Sequence, residues 1–178
     1  MLKRIFAWAA LAIFALVLLG VLVGVFLPSR YRVERSIDIQ APAERVFAEV
    51  NDLRRNEAWS PWKVHDPSMR YTYPAASVGE GAIYRWTSRH SGAGELKIVR
   101  SIPYRRIDTE LHFMEQGKAR GYWRFAPEGT RVHVRWGFEG DAGWNLPGRY
   151  FGLMMNRWVG PHFEEGLRRL KGIAEGAS

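Results

Sequence analysis

Cysteine is absent from this chain of 178 residues. Without a thiol, the protein has no cysteine nucleophile, no disulfide and no Cys-ligated zinc, although its redox compartment stays undetermined. Other sequence motifs are missing too: there is no G-x-S-x-G nucleophile elbow, no Walker loop and no dinucleotide-binding fingerprint. Internal repeats and low-complexity segments are also lacking. These absences exclude the enzyme classes that are easiest to recognise from sequence.

Metal-binding motifs and catalytic pairs are lacking among the titratable residues. None of the five histidines has the spacing of a metal motif or a matching acid beside it: His65, His90, His112, His133 and His162. Asp108 and Glu110 alternate toward the wet side of their predicted strand. We therefore predict no catalytic residues, no metal site and no cofactor, which favours a protein that is not an enzyme.

Runs of basic residues are missing, although the protein is basic. Only Lys3 and Arg4 precede residue 29, so the rest of the chain carries 24 of the 26 Lys and Arg against all 18 Asp and Glu. These charges are spaced as the wet side of strands, and no RNA-binding signature interleaves them with aromatic residues. We therefore expect no nucleic-acid partner.

A long apolar run is present at the start of the chain. Residues 5–27 contain 23 residues without a charge, about 34 Å as a helix, enough to cross a hydrocarbon core of roughly 30 Å. The run exceeds the usual apolar region of a signal peptide, and no clear small-x-small cleavage site follows it. We predict an N-terminal transmembrane anchor over residues 1–28 and a soluble domain over residues 29–178; a cleaved signal peptide is the alternative.

Two further expectations concern this anchor. Gly20 and Gly24 form a G-x-x-x-G, which predicts a weak dimer through close packing of two such helices. Basic residues nearly balance across the run, with Lys3 and Arg4 before it and Arg30, Arg32 and Arg35 after it. A short basic start before a long apolar run is typical of a signal anchor, which slightly favours a domain outside the cytoplasm.

Hydrophobic periodicity predicts the elements of the soluble domain. Alternation predicts a first strand over residues 31–39, after which Ala41-Pro42 begins a helix that buries Val46, Phe47 and Val50. A second short helix reaches Trp59, and Ser60-Pro61-Trp62 is predicted to form a turn. Six strands follow, over residues 69–73, 82–88, 95–102, 106–114, 121–126 and 131–138. Short turns between them predict an antiparallel sheet with one buried face.

The last helix is predicted over residues 145–176, interrupted by Gly160-Pro161. Two apolar stripes run along it: Phe151, Met155, Trp158 and His162, then Val159, Phe163, Gly166 and Leu170. Both stripes are expected to face the sheet. The far side carries Arg157, Glu164, Arg168 and Lys171, with Glu164 and Arg168 at the spacing of an ion pair. The fold class is therefore α+β, a curved antiparallel sheet wrapped around a long C-terminal helix.

Three segments carry a family resemblance: residues 31–47 (YRVERSIDIQAPAERVF), 59–62 (WSPW) and 160–171 (GPHFEEGLRRLK). They resemble the START-like (SRPBCC) superfamily, specifically its polyketide cyclase/dehydrase and lipid-transport group. The resemblance implies a helix-grip fold whose last helix crosses the sheet and leaves a cavity for an apolar ligand. It supplies no catalytic set, because members of the superfamily include lipid carriers, ring-closing enzymes and hormone receptors.

Aromatic residues are abundant in the soluble part, which holds seven Trp, seven Tyr and six Phe. Many fall on predicted inward faces, and one curved sheet with one helix rarely fills the space between them. Two methionines of the last helix add an adaptable side. We predict a ligand site lined by Trp59, Trp62, Tyr84, Trp86, Arg100, Leu111, Phe113, Trp123, Trp136, Met154, Met155 and Trp158.

Arg100 is the predicted polar anchor of that site, because it shares a strand face with Leu96, Ile98 and Ile102. An inward arginine needs an acidic partner, which a carboxylate or phosphate on the ligand would supply. A bulge near Val99 would instead turn Arg100 outward.

The leading hypothesis is a membrane-anchored module that binds a hydrophobic small molecule or lipid between the sheet and the last helix. Two alternatives remain open: a cyclase/dehydrase-type enzyme acting on a polyketide-like substrate, and a structural membrane protein with a vestigial cavity. An enzyme would need inward polar pairs, whereas a binding module would copurify with a small molecule.

Overall fold

A computed structural model describes residues 2–114 and 117–176. Its elements follow one another along the chain as α1 (Leu2–Phe26), β1 (Arg30–Ile39), α2 (Ala43–Asn51), α3 (Asn56–Trp59), α4 (Pro61–His65), β2 (Arg70–Thr72), β3 (Ile83–Thr87), β4 (Ala93–Ile102), β5 (Arg106–Phe113), β6 (Gly117–Glu128), β7 (Arg131–Asp141) and α5 (Leu146–Gly176). This order confirms the α+β class predicted from the sequence.

The strands form a seven-stranded antiparallel sheet in the order β1-β7-β6-β5-β4-β3-β2. Consecutive strands from β2 to β7 pair as neighbours, and β1 pairs with β7 in the register Val33 to Phe138. One face carries apolar side chains and the other is wet, as the alternation predicted. Trp123 and Phe125 are buried, whereas Arg124 and Arg135 between the apolar positions contact solvent and acidic partners.

The core lies between the inward face of the sheet and the second half of α5. Leu167 and Leu170 of α5 are 1% and 0% exposed. Phe163 stacks flat on Trp136 of β7 with ring centroids 3.8 Å apart. Trp59 of α3 meets Trp123 and Trp136 edge-on at 5.5 and 5.8 Å, which joins the short helices to the same core.

The short helices after β1 cover one side of this core. Pro42 precedes α2, which buries Val46, Phe47 and Val50 as predicted. Residues 60–62 were predicted to form a turn, but α4 begins at Pro61. Proline suits the first position of a helix because its fixed φ is already helical and its missing N–H has no helical partner there.

The strand β4 contains a bulge that changes the predicted face of Arg100. Ile98 pairs with Thr109, but the next paired residue is Arg100, opposite Asp108, so Val99 is the extra residue. A bulge of one residue reverses the alternation beyond it. Arg100 is therefore exposed on the outer face of the sheet, and Ser101, which pairs with Ile107, takes the inward position.

The first half of α5 extends past the sheet and contacts α1. Arg149 is 8% exposed and donates hydrogen bonds to the carbonyls of Gly24, Val25 and Leu27 at 3.3, 2.6 and 3.1 Å. The carbonyls of Gly24 and Val25 belong to the last turn of α1, where backbone carbonyls have no partner within the helix, and Leu27 directly follows that turn. A Cβ on Gly24 would meet Tyr150 at 3.1 Å and Leu146 at 3.5 Å. The glycine predicted to pack against a second copy thus packs against α5 of its own chain.

Residues 3–26 form the one helix in the described chain that is long and apolar enough to cross a membrane, with a mean hydropathy of 2.9. Its most apolar segment is only 6% buried against the rest of the protein. A signal sequence near the N-terminus would share these properties.

Candidate functional site

A cavity of about 790 Å³ lies between the sheet and α5, with α3 and α4 on one side. Nine of the twelve residues predicted for the ligand site line it: Trp59, Trp62, Tyr84, Trp86, Leu111, Phe113, Trp123, Trp136 and Met155. They come from four strands and three helices, so the fold brings together residues that are distant in sequence.

Aromatic rings form most of the wall of the cavity. Trp86 contacts Tyr84 and Phe113 with centroids 6.1 and 5.6 Å away, both edge-on, and Trp123 stacks on Trp136 at 4.6 Å. Because these rings hold one another, they keep their positions along the wall instead of collapsing into the open space.

Two glycines of the sheet make room for side chains that line the cavity. A Cβ on Gly94 would collide with the indole of Trp86, so the absence of a side chain allows that ring to lie across β4. A Cβ on Gly121 of β6 would likewise collide with the hydroxyl of Thr109 of β5. Both lining residues therefore depend on a glycine in the neighbouring strand.

One end of the cavity is polar, and the residues that line the cavity there carry no charge. Asn56 and Ser60 from the short helices meet Tyr71 and Tyr84 from β2 and β3 there. The side-chain oxygen of Asn56 is buried and has no hydrogen-bond partner in the described chain. Burial raises the pKa of the Tyr84 phenol well above its ordinary value, so the phenol stays neutral. A ligand group that donates a hydrogen bond would satisfy the Asn56 oxygen.

Charged residues reach the cavity only near its opening. Among the described residues that line it, Lys118 and Asp141 alone carry a charge, and both are exposed. Most of the other exposed lining residues lie nearby, at the start of β6 and around the first turns of α5: Gly117, Asn145, Pro147 and Phe151. The mouth of the cavity therefore lies beside the segment of α5 that contacts α1.

Three residues predicted for the site lie outside the cavity. Arg100 is on the outer face of the sheet because of the bulge at Val99. Met154 and Trp158 are each 44% exposed on the outer side of α5, where Trp158 meets Phe151 edge-on at 5.4 Å. The stripe of Phe151, Met155, Trp158 and His162 was predicted to face the sheet. Met155 and His162 are partly buried and Phe151 lines the cavity at its mouth, whereas Trp158 is exposed on the far side of the helix.

The charge that interrupts an inward face is Arg35, which the sequence analysis missed. It follows Val33 by two residues in β1 and therefore points toward α5. Its guanidinium lies against Gly160, donates to Glu164 Oε1 at 2.6 Å and to Asn156 Oδ1 at 2.9 Å, and does not line the cavity. Glu164 is thus paired with Arg35, whereas Arg168 reaches only the backbone carbonyl of Glu164. Strict alternation along β1 could have identified Arg35, because it lies two residues after the inward Val33.

A buried carboxylate lies close to the cavity wall. Asp66, 4% exposed, accepts hydrogen bonds from the hydroxyls of Ser68, Ser88 and Ser91. These bonds hold its pKa far below the ordinary value. With its oxygens occupied and its proton lost, Asp66 orders the loop after β3 and is unsuited to act as a general base.

Two histidines and an acid converge outside the cavity, although no metal motif was found in the sequence. His65 Nε2 lies 2.7 Å from Glu165 Oε2, and the ring of His162 lies 4.6 Å from that of His65. Their donor atoms lie within 4.8 Å of one another, a spacing from which a divalent cation could be held. The hydrogen bond to His65 and that from Arg169 already occupy both oxygens of Glu165. Nothing further in the described chain points to an ion.

A family model described as polyketide cyclase/dehydrase and lipid transport matches residues 30–175. No curated protein sequence matches the chain. Solved structures with the same fold include a protein from Chromobacterium violaceum, 18% identical with a TM-score of 0.59, covering 83% of this chain and 99% of that one. A protein from Mesorhizobium loti is 12% identical, with a TM-score of 0.60 and coverage of 83% and 98%. A hypothetical protein from Helicobacter pylori is 10% identical, with a TM-score of 0.62 and coverage of 80% and 87%.

Proposed function

Because the chain belongs to the polyketide cyclase/dehydrase and lipid transport family, we propose that it binds a hydrophobic or lipid-like molecule between the sheet and α5. The observation that carries this proposal is the cavity of about 790 Å³ walled by aromatic rings. Ligand pockets usually measure about 300 to 1,000 Å³ and are mostly apolar with a few placed polar groups. Both properties apply here.

The distribution of polar groups supports one orientation of the ligand. Its apolar body contacts the rings of Trp86, Trp123 and Trp136, while a neutral hydrogen-bond donor such as a hydroxyl reaches the unpaired oxygen of Asn56. A charged headgroup would stay at the mouth near Lys118, because burying an unpaired charge among the rings costs several kcal/mol, about 3 or more.

We further propose that α1 anchors this domain in a membrane as a single span, with residues 29–178 as the soluble domain outside the cytoplasm. The contacts of Arg149 support retention of α1 over cleavage as a signal peptide. Removal of residues 1–28 would take away the acceptors at Gly24, Val25 and Leu27 and leave the guanidinium with the Gly143 carbonyl, which is unfavourable.

The geometry does not favour a cyclase or dehydrase reaction. Such chemistry needs a proton donor or acceptor facing the substrate. The described lining residues offer no histidine or glutamate, and their lone carboxylate, Asp141, is at the mouth, bonded to Arg30 and Gly143. Lys118 is also at the mouth, and burial raises the pKa of the lining phenols of Tyr31, Tyr71 and Tyr84, which keeps them neutral. Binding without a reaction therefore remains the proposal.

Neighbouring methionines provide a matched test. Met155 lines the cavity, whereas Met154 is exposed and does not. On full-length protein in amphipol, Met155→Trp should fill the cavity and weaken displacement of a bound fluorescent probe by long-chain alcohols. Met154→Trp should bind as the wild type does. If both substitutions have the same effect while both variants melt as the wild type does, the cavity is not the binding site.

A further inference from the structure

The cavity mouth and the end of α1 are joined by the first turns of α5. Besides the bonds from Arg149, the Tyr150 hydroxyl donates to the Gly20 carbonyl at 2.6 Å. Only residues 27–29 separate α1 from β1, and Ala142 N, just after β7, donates to Ser29 O at 2.8 Å. The domain thus has almost no linker, and α5 begins beside the helix that is proposed to span the membrane.

The depth of these contacts follows from helix geometry. Gly20 lies six residues from the middle of α1, about 9 Å at 1.5 Å per residue. If α1 is centred in a hydrocarbon core of roughly 30 Å, the Tyr150 hydroxyl lies about 6 Å inside its boundary. Tyrosine is enriched at this depth, and interfacial helices insert by about 5 to 10 Å.

The same part of the chain exposes a patch of large apolar side chains. We call it the α5 apolar surface; its members are 38% to 83% exposed, and they are Trp144, Tyr150, Phe151, Leu153, Met154 and Trp158. In water such a surface would be unfavourable, because apart from Tyr150, which contacts α1, and Phe151, which lies at the cavity mouth, its side chains are left largely exposed. Contiguous patches of this kind mark membrane or protein interaction sites.

Charge also distinguishes this segment. Residues 142–163 contain no Asp or Glu but two arginines. Arg149 is used by α1, and Arg157, exposed next to Trp158, has no partner in the described residues. A basic residue beside tryptophans and aliphatic side chains suits the anionic surface of a bilayer.

From this juxtaposition we propose that the α5 apolar surface lies in the interface of the bilayer that holds α1, so that the cavity opens onto the lipid surface. The cavity then takes up an amphiphile directly from that leaflet, without passage through water. This inference rests on the proposed function for the cavity, and on the proposed span for its depth.

Fluorescence quenching in vesicles tests the proposal on the full-length chain. The protein has no cysteine, so a single introduced cysteine carries the only label. NBD would be attached to Met154→Cys on the surface, to Phe14→Cys in the middle of α1 and to Lys97→Cys on the outer face of the sheet. Vesicles of phosphatidylcholine and phosphatidylglycerol would carry a nitroxide either near the headgroup or near the end of the acyl chain.

The label at residue 154 should lose most of its fluorescence to the shallow nitroxide, the label at residue 14 to the deep one, and that at residue 97 to neither. If neither nitroxide quenches the labels at residues 154 and 97, while the label at residue 14 is quenched, the proposal is overturned and the anchor stays intact. An unquenched label at residue 14 would overturn the span itself. Disulfide formation between two copies of unlabelled Met154→Cys, without lipid quenching, would assign the surface to a second copy and also overturn it.

A second measurement separates uptake from binding. The double variant Leu153→Glu with Met154→Glu changes only residues outside the cavity. It should slow the uptake of a fluorescent fatty alcohol from vesicles, yet bind the same alcohol as the wild type does in amphipol. Unchanged uptake by the double variant would refute entry from the leaflet. If the wild type binds no fatty alcohol either from vesicles or in amphipol, the proposed function is refuted.

Discussion

The indole of Trp136 lies flat on the ring of Phe163, with centroids 3.8 Å apart and planes inclined by 4°. This contact joins the last strand to α5 at the inner end of the cavity. Truncating Trp136 to alanine removes the stack and the edge contact with Trp59, so we predict a loss of about 3 to 5 kcal/mol in unfolding free energy. Urea denaturation of the full-length protein in amphipol measures it.

The control for this prediction is the preceding residue. Arg135 points to the wet face and pairs with Glu34 at 3.6 Å with half of its side chain exposed, so Arg135→Ala should cost no more than about 1 kcal/mol. A comparable loss in both variants would show that the strand faces are misassigned.

Asp66 should make the stability of the fold depend on pH in the acidic range. In an unfolded chain its pKa is about 3.9, whereas the serine hydroxyls hold the folded pKa far lower. A depressed pKa stabilises the fold fully above about pH 5, and this contribution is lost as the pH falls through the unfolded pKa and on toward the folded one.

Denaturation between pH 7 and pH 3 checks this expectation. Asp66→Asn should be less stable than the wild type at pH 7, and the difference should shrink as the pH falls. Glu80→Gln, at an exposed position, serves as the control and should follow the wild-type curve. A constant difference between Asp66→Asn and the wild type at all pH values would contradict the assigned role.

Asn56 should select ligands that donate a hydrogen bond. Its buried oxygen lacks a partner in the described chain, and a hydrogen bond contributes about 0.5 to 1.5 kcal/mol, roughly 2- to 10-fold in affinity. The wild type should prefer a long-chain alcohol to its methyl ether by this factor, and Asn56→Leu should lose the preference while keeping affinity for the ether. A preference that survives the substitution would place the polar group of the ligand elsewhere.

Charge substitutions test which cation meets an acidic ligand. Because Arg100 faces solvent on the outer side of the sheet, Arg100→Met should leave the affinities for a fatty acid and a fatty alcohol unchanged. Lys118→Met, at the mouth, should weaken the acid relative to the alcohol. If probe displacement shows that Arg100→Met weakens the fatty acid relative to the alcohol while Lys118→Met does not, Arg100 is the residue that meets the acidic group.

The sequence predicted the faces of Trp123, Trp136 and Phe138 correctly because each strand has one wet side, so alternation alone assigns its residues. It left Arg100 with two alternatives, inward or turned outward by a bulge near Val99, and the second is the one observed. The sequence could not decide between them because the bulge is a property of the pairing with β5, and no local residue requires it. Trp158 was misassigned because helical periodicity identifies a stripe but not the length over which the sheet covers it, which is set by where α1 ends and β1 begins. Met154 lies outside both stripes and was assigned to the site only as one of two adjacent methionines.

Contacts across long sequence separations were beyond the sequence analysis. His65 and Glu165 are 100 positions apart, and Arg149 and Gly24 are 125 apart. Neither pair has a local signature, because each depends on how the ends of the sheet place α4, α5 and α1 together. The aromatic wall was predictable since it needed only strand faces, whereas the unpaired oxygen of Asn56 depends on the packing of α3.

Native mass spectrometry of the full-length protein, extracted without added lipid and released from nanodiscs, tests the central claim most directly. The account predicts one small apolar molecule bound per chain in the wild type and in Met154→Trp, and its loss in Met155→Trp. A folded wild-type protein that carries no such molecule, and acquires none when long-chain alcohols or fatty acids are added, would contradict the proposal that this cavity is a binding site.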